Sequence, residues 1–232
     1  MEASIILGGI TIIAGIFFIS NYYSDLSIIK RKLKHTPLQK IAYFKEGSVG
    51  KIVGKVKMID TSITAPLSGR DCAYYHVTVE QKINSGKSTY WRKVIDEDQM
   101  CKFIIDDGSG SYAYFDSEYL QKHIVKDRNY TTGFWHKKND KLIQYLIDHQ
   151  INPLNWIKTE KTFRYQEGIL ETNETIAIIA KGLWKKAEEL ELPSSYYRIL
   201  NLIPTESEAI YISDDPDTTK IEQEDTFGNL NI

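Results

Sequence analysis

Hydrophobic and polar positions divide this chain into stretches of different period. From Ala3 to Ser20 the residues are almost unbroken apolar, and Tyr22 and Tyr23 follow. About 21 helical residues reach roughly 30 Å, the thickness of a bilayer's hydrocarbon core. No basic residue precedes the run and no small-residue cleavage site follows it, which argues against a removed signal peptide. The pattern predicts a transmembrane helix with residues 3–23 in the bilayer and the two tyrosines at its interface.

Further along, the period becomes two. Gly47 to Met58 alternates apolar and basic residues and predicts an amphipathic strand. The stretch Ser62–Glu80 opens with turn chemistry at Pro66 and Gly69, then becomes a strand rich in aromatic and β-branched residues. Alternation puts Ala73, Tyr75, Val77 and Val79 on a core face, and Cys72, Tyr74, His76, Thr78 and Glu80 on the other. Asn84–Lys87 predicts a hairpin loop, with Thr89–Ile95 returning. Met100–Ile105 and Ser111–Phe115 predict another pair, joined by Asp106-Asp107-Gly108-Ser109-Gly110. Between Asn139 and Gln150 the apolar residues take helical spacing, with Asn139 or Asp140 as N-cap and an end before Pro153. Thr175–Ala180 predicts a closing strand, and Tyr196–Ile203 and Ala209–Ile212 edge strands. From Ser213 on, no core-forming pattern remains.

The expected fold is therefore mainly β (α+β). A transmembrane helix precedes a small antiparallel curled sheet or partial β-barrel with one or two helices. The expected division is an anchor at 1–29, a basic juxtamembrane linker at 30–46, a β-rich domain at 47–204 and an acidic disordered tail at 205–232.

Charge sharpens the picture only by its distribution. The formal net charge is −2, yet residues 30–40 carry +5 and residues 205–232 carry −7. The basic residues Lys30, Arg31, Lys32 and Lys34 follow the span, so the positive-inside rule places the N-terminus outside and the domain in the cytoplasm. The same cations are candidates for anionic lipid contact. The body at 41–204 is close to neutral and gives no electrostatic case for nucleic-acid binding. Two cysteines in all, Cys72 and Cys101, make no disulfide framework and suit a reducing compartment.

Candidate chemistry is sparse. Cys72 and His76 share a strand face, but four residues separate them by roughly 13 Å, too far for a nucleophile and its base. The acidic turn at Asp106–Gly110 lacks the ligand order of a calcium loop and the Lys-Ser/Thr of a phosphate loop. It reads as a turn whose Asp side chains bond the backbone. Ser68-Gly69-Arg70 offers two readings. Its amides and guanidinium could receive an anion, or Arg70 could pair with an acidic turn such as Asp107. No metal or cofactor site is expected.

The stretch A-P-L-S-G-R-D-C-A-Y-Y-H-V-T-V-E resembles the signature of the GIDE, or beside-a-membrane (BAM), domain. Phe103–Gly110 and Arg164–Ile169, leading to Ile176–Ile179, resemble its later turn and closing strand. That domain occurs in mitochondrial RING-type ubiquitin ligases and in RING-less prokaryotic relatives, and this chain is similar to the latter. The family pattern falls on Pro66, Leu67, Ser68, Gly69, Arg70, Cys72, Tyr74, Tyr75, Asp107, Gly110 and Glu167. Together with the single apolar span and its basic flank, the resemblance gives the expectation of a single-pass module for binding, sensing or scaffolding at a membrane surface, with a protein or small-ligand partner. The span and flank, not the family, place it in a bacterial inner membrane, since the second span of the family's ligases is absent here. The alternatives are an enzyme with a dispersed site, or ubiquitin transfer inherited with the family name. Two cysteines and no Cys-x-x-C cannot build a zinc RING.

Overall fold

The computed structural model describes residues 25–59, 61–115, 120–131, 140–154 and 161–220. Helix α1 (Asp25–His35) buries Ile29 and Leu33, four residues apart on one face. A 3-10 turn at Ile41–Tyr43 leads to strand β1 (Val49–Met58). Two short strands, β2 (Ile63–Thr64) and β3 (Asp71–Cys72), flank the Pro66–Gly69 turn. Strands β4 (Tyr74–Ser85) and β5 (Ser88–Met100) form a hairpin whose two-residue loop begins with Gly86 at φ +53°. The chain continues through β6 (Phe103–Asp106), β7 (Tyr112–Tyr114), β8 (Leu120–His123) and β9 (Arg128–Thr131). Helix α2 (Asp140–Asp148) precedes β10 (Phe163–Leu170) and the long β11 (Thr175–Lys186). Two 3-10 turns, Ala187–Leu190 and Ser194–Tyr196, separate β11 from β12 (Arg198–Ile203). Strand β13 (Ile210–Ser213) and the single helical turn α3 (Pro216–Thr219) follow.

Five of these strands close on themselves in the order β1-β6-β7-β12-β11-β1. Every contact around the barrel is antiparallel except β7 with β12. Beyond it, β13 pairs with β11, and β8 pairs with β13 in parallel. Inward side chains fill the barrel, among them Ile52, Val56, Ile105, Ala113, Ile178 and Leu200. A second sheet, β5-β4-β10-β9, packs Val77, Val79, Phe163 and Ile169 against Leu142, Tyr145 and Leu146 of α2. Strand β4 joins the layers, because Tyr74 points into the barrel core and its neighbour Tyr75 into the second core. Helix α1 lies on the outside of the barrel, setting Ile29 and Leu33 on Val53, Ala177, Ile179 and Tyr211.

Among the described residues the chain is mainly β, as the alternating pattern predicts, but three helices stand where one or two were expected beside the span, and the barrel is closed rather than partial. The sheet is also not wholly antiparallel. Strand β1 is buried on both faces from Gly50 to Gly54, because α1 covers what alternation leaves outside. The expected edge strands β12 and β13 each lie between two neighbours. The core face of the Cys72–Glu80 stretch holds for Tyr75, Val77 and Val79, but a bend at Ala73 reverses the alternation. Cys72 therefore joins the core of Tyr75, while Ala73 enters the barrel. The expected linker at 30–46 is helical as far as His35 and packed on the barrel. Residues 205–220 of the expected disordered tail are folded, since β13 pairs on both sides and Ser213, Asp214 and Asp215 are buried. Among the described residues no helix is long and apolar enough to cross a membrane, and the expected span at 3–23 lies outside them.

Candidate functional site

The Pro66–Arg70 turn is closed by two backbone bonds, Gly69 N–H to Ala65 O at 2.8 Å and Ala65 N–H to Arg70 O at 2.9 Å. Gly69 supplies the required positive φ of +73°. The turn does cradle an anion, but an internal one. Glu167, 1% exposed, accepts from Leu67 N–H at 2.8 Å with one oxygen and from Ser68 N–H at 2.9 Å with the other. Lys141 of α2 donates to Ser68 O at 3.0 Å. Arg70 does not meet Asp107. It pairs with Asp127 at 2.7 Å and Glu171 at 3.2 Å, tying the turn to the segments that follow β8 and β10. These acids lie close to Arg70 only because β10 runs beside β4.

Asp107 works elsewhere, in the β6–β7 turn. Its carboxylate accepts from Ser109 N–H at 3.0 Å and from Ile41 N–H at 2.8 Å, so the turn fastens the chain leading into β1. Asp106 accepts from Gly108 N–H at 2.9 Å, and Gly108 and Gly110 take φ of +74° and +88°. This is the backbone-bonded turn its sequence predicts. Among the described residues no group of three His, Cys, Asp or Glu side chains could hold a metal ion.

Both thiols are free, and among the described residues neither bonds a histidine. Burial pushes the Cys72 thiol up to about 11, and its Sγ faces the Ile63 carbonyl at 3.6 Å. Cys101 is likewise raised by burial. A buried, protonated thiol is a poor nucleophile.

Two polar clusters escaped the sequence, because their members come together only when α2 and the segment after β8 pack on the β4–β5 hairpin. On the second core, Glu97 of β5 accepts from Tyr75 Oη at 2.6 Å, Tyr145 Oη at 2.8 Å and His149 Nε2 at 2.7 Å. Burial works to raise this carboxyl, but the three donors together hold it below its ordinary value. On the opposite face, Lys126 Nζ meets His76 Nδ1 at 2.7 Å, and His76 Nε2 meets Asp96 Oδ1 at 2.8 Å.

The barrel also carries a cleft of about 760 Å³ where β11 passes into β12. Its walls include Trp184, Lys185, Lys186, Glu188, Tyr197 and Arg198. The indole is fixed by its N–H, which donates to Phe44 O at 3.1 Å, and the Arg198 guanidinium stacks on it at 5.0 Å. Tyr197 is 83% exposed and sits at φ 51°, ψ −89°, the strained γ-turn region. Strained backbone of this kind clusters at active sites, ligand clamps and switch regions. The sequence pattern puts Tyr196 and Tyr197 at the start of an edge strand, but a 3-10 turn takes Ser194–Tyr196 and the strand begins at Arg198.

Together these features define a class: a five-stranded Greek-key barrel in the strand order of the OB fold, with a second sheet inserted between its first two strands and before its fourth. Compared with known proteins, the chain matches no family model, no curated protein and no solved structure.

Proposed function

We propose that this protein is a single-pass, membrane-anchored binding module whose recognition surface is the cleft at the β11–β12 end of the barrel. The observation that carries the reading is the preformed rim: a stacked Arg198–Trp184 pair beside the strained, exposed Tyr197. Such rims of aromatic and arginine side chains are where protein partners find anchors. The three cations Lys185, Lys186 and Arg198 outnumber the acids Glu188 and Glu189, which favours an acidic partner segment.

Placement supports the same reading. Lys30 of α1 pairs with Asp215, and Leu38 bridges to Lys51, so the start of α1 lies toward the beginning of β11. The cleft is at the other end, about 30 Å along the strand. A chain entering from a membrane-spanning segment at residues 3–23 would hold the cleft facing away from the bilayer. Lys30 and Lys32 pair with Asp215 and Glu208, which leaves anionic lipid a competitor for cations already engaged. The GIDE-like resemblance agrees with a membrane-side module. Catalysis by a dispersed site is the second reading, and the Lys126–His76–Asp96 contact is what favours it.

The test has two arms. A reporter fused after Ile232 should be active on the cytoplasmic side, and the chain should resist extraction from membranes at alkaline pH. A photo-crosslinker at residue 197 should trap a discrete partner in cells, and Arg198→Ala or Trp184→Ala should abolish the product. A crosslinker at Lys87 should trap none. An extractable chain rejects the anchor, and equal crosslinking from both positions rejects the cleft.

A further inference from the structure

We propose that Lys126 is a nucleophilic amine for activated acyl groups, with His76 as its proton acceptor and Asp96 as the residue that positions His76. This site is independent of the cleft and of the anchor.

The geometry is built by three elements. His76 lies on β4 opposite Gly168 of β10. A Cβ at Gly168 would stand 2.7 Å from Val125 O and 3.4 Å from Lys126 Cδ, so only glycine lets the lysine stem cross β10 and reach the imidazole. The ammonium has only donors, so its 2.7 Å contact fixes Nδ1 of His76 as an acceptor. The ring proton is then on Nε2, which donates to Asp96 Oδ1 at 2.8 Å. Lys93 pairs with Asp96 at 2.7 Å and holds that carboxylate in place. Among the described residues no carboxylate bonds Lys126 directly, although Asp96, Asp98 and Asp214 favour its charge from a distance and Lys93 opposes it. Burial outweighs them and pulls the amine down to about 8.

The chemistry follows from that arrangement. The ammonium passes one proton to His76 Nδ1, and the imidazolium is held by Asp96. The free Nζ lone pair attacks the acyl carbon of an ester or thioester. The bond to the leaving oxygen or sulfur breaks, an amide forms on Lys126, and the leaving group takes a proton from the imidazolium. The second amine proton goes to water, and no electron is gained or lost. At pH 7.5 an amine titrating at about 8 is roughly one-quarter neutral, against about 0.1% for an ordinary lysine. That difference exceeds the loss of intrinsic nucleophilicity that accompanies a lower pKa.

The probe is p-nitrophenyl acetate at limiting concentration, applied to the full chain in detergent, with acetylation read by peptide mass mapping. Lys126 should be acetylated at least about tenfold faster than Lys87 on the exposed β4–β5 loop at pH 7.5, with a profile half-risen near pH 8. His76→Gln should slow Lys126 by at least about fivefold without changing Lys87 or the melting temperature. Asp96→Asn removes both the positioning bond and a charge that favours the ammonium. Its plateau rate should fall while its midpoint moves to lower pH, a pair of changes that a merely structural role would not produce. Lys126 reacting no faster than Lys87, or unaffected by His76→Gln, overturns the proposal. An unmoved Asp96→Asn profile overturns the role of Asp96.

Discussion

Among single residues, Glu167 holds more of the structure than Arg70, although Arg70 is the more conspicuous in the sequence. Its carboxylate is almost fully buried and is the acceptor for two amides of the turn. Glu167→Gln keeps one acceptor but turns an NH₂ group toward the other amide, leaving buried donors opposed. The expected cost is about 2–3 kcal/mol. Arg70 is about one-third exposed and its partners Asp127 and Glu171 are similarly open, so Arg70→Ala should cost about 1–2 kcal/mol. Chemical denaturation of the two variants checks the order, and an Arg70→Ala loss larger than that of Glu167→Gln contradicts it. The turn itself was legible from Pro66 and Gly69. Its partners were not, because about one hundred residues separate Leu67 from Glu167.

At the level of elements, α1 is the least expected feature and depends on a contact from the far end of the chain. Asp215 accepts from Lys30 at 2.6 Å, from His123 at 3.2 Å and from Asp217 N–H at 2.8 Å, so one carboxylate joins α1, β8 and α3. Burial acts against its charge, but Lys30 and these other donors hold it at about 2. A depressed carboxylate contributes stability above its unfolded value, near 4, and that contribution fades as pH falls toward 2. Asp215→Ala should therefore speed hydrogen exchange in residues 25–35 at neutral pH, with the β1–β11 amides still protected. Glu208→Ala should do so less, since its pair with Lys32 is more exposed. Unchanged exchange in α1 contradicts the latch.

For the molecule as a whole, a pH dependence between acid and neutral enters through Asp214, just past β13. Burial pushes its carboxyl up to about 7, against the bond from Val125 N–H at 2.8 Å and one from its own backbone N–H. A raised acid binds its proton more tightly in the folded state. Its contribution is complete below about pH 4 and is lost as pH rises toward 7, with a slope of at most ~1.4 kcal/mol per unit. Asp214→Asn keeps an oxygen for Val125 and has no proton to lose. The variant should lose less stability between pH 5 and 7.5 than the native chain in urea titrations. Parallel curves contradict the assignment.

The sequence by itself determined the period-two strands, the glycine turns at Gly69, Gly86, Gly108 and Gly110, and the amphipathic α2, because these rest on local backbone preference and on which side chains alternate. It also determined the apolar stretch at 3–23 and the charge reversal between the two ends. Only the tertiary structure decided which strands close. Pairing β7 with β12 in parallel links residues more than eighty positions apart, and no local pattern encodes such a partner. The same fold sets the acidic segment after Thr205 against the basic helix α1, turning an expected linker and an expected tail into one interface. It also brings Lys126 across Gly168 to His76, and displays Tyr197 beside Trp184 and Arg198. Chemistry of that kind depends on distances between strands, and strand pairing sets those distances after the turns and faces are already fixed.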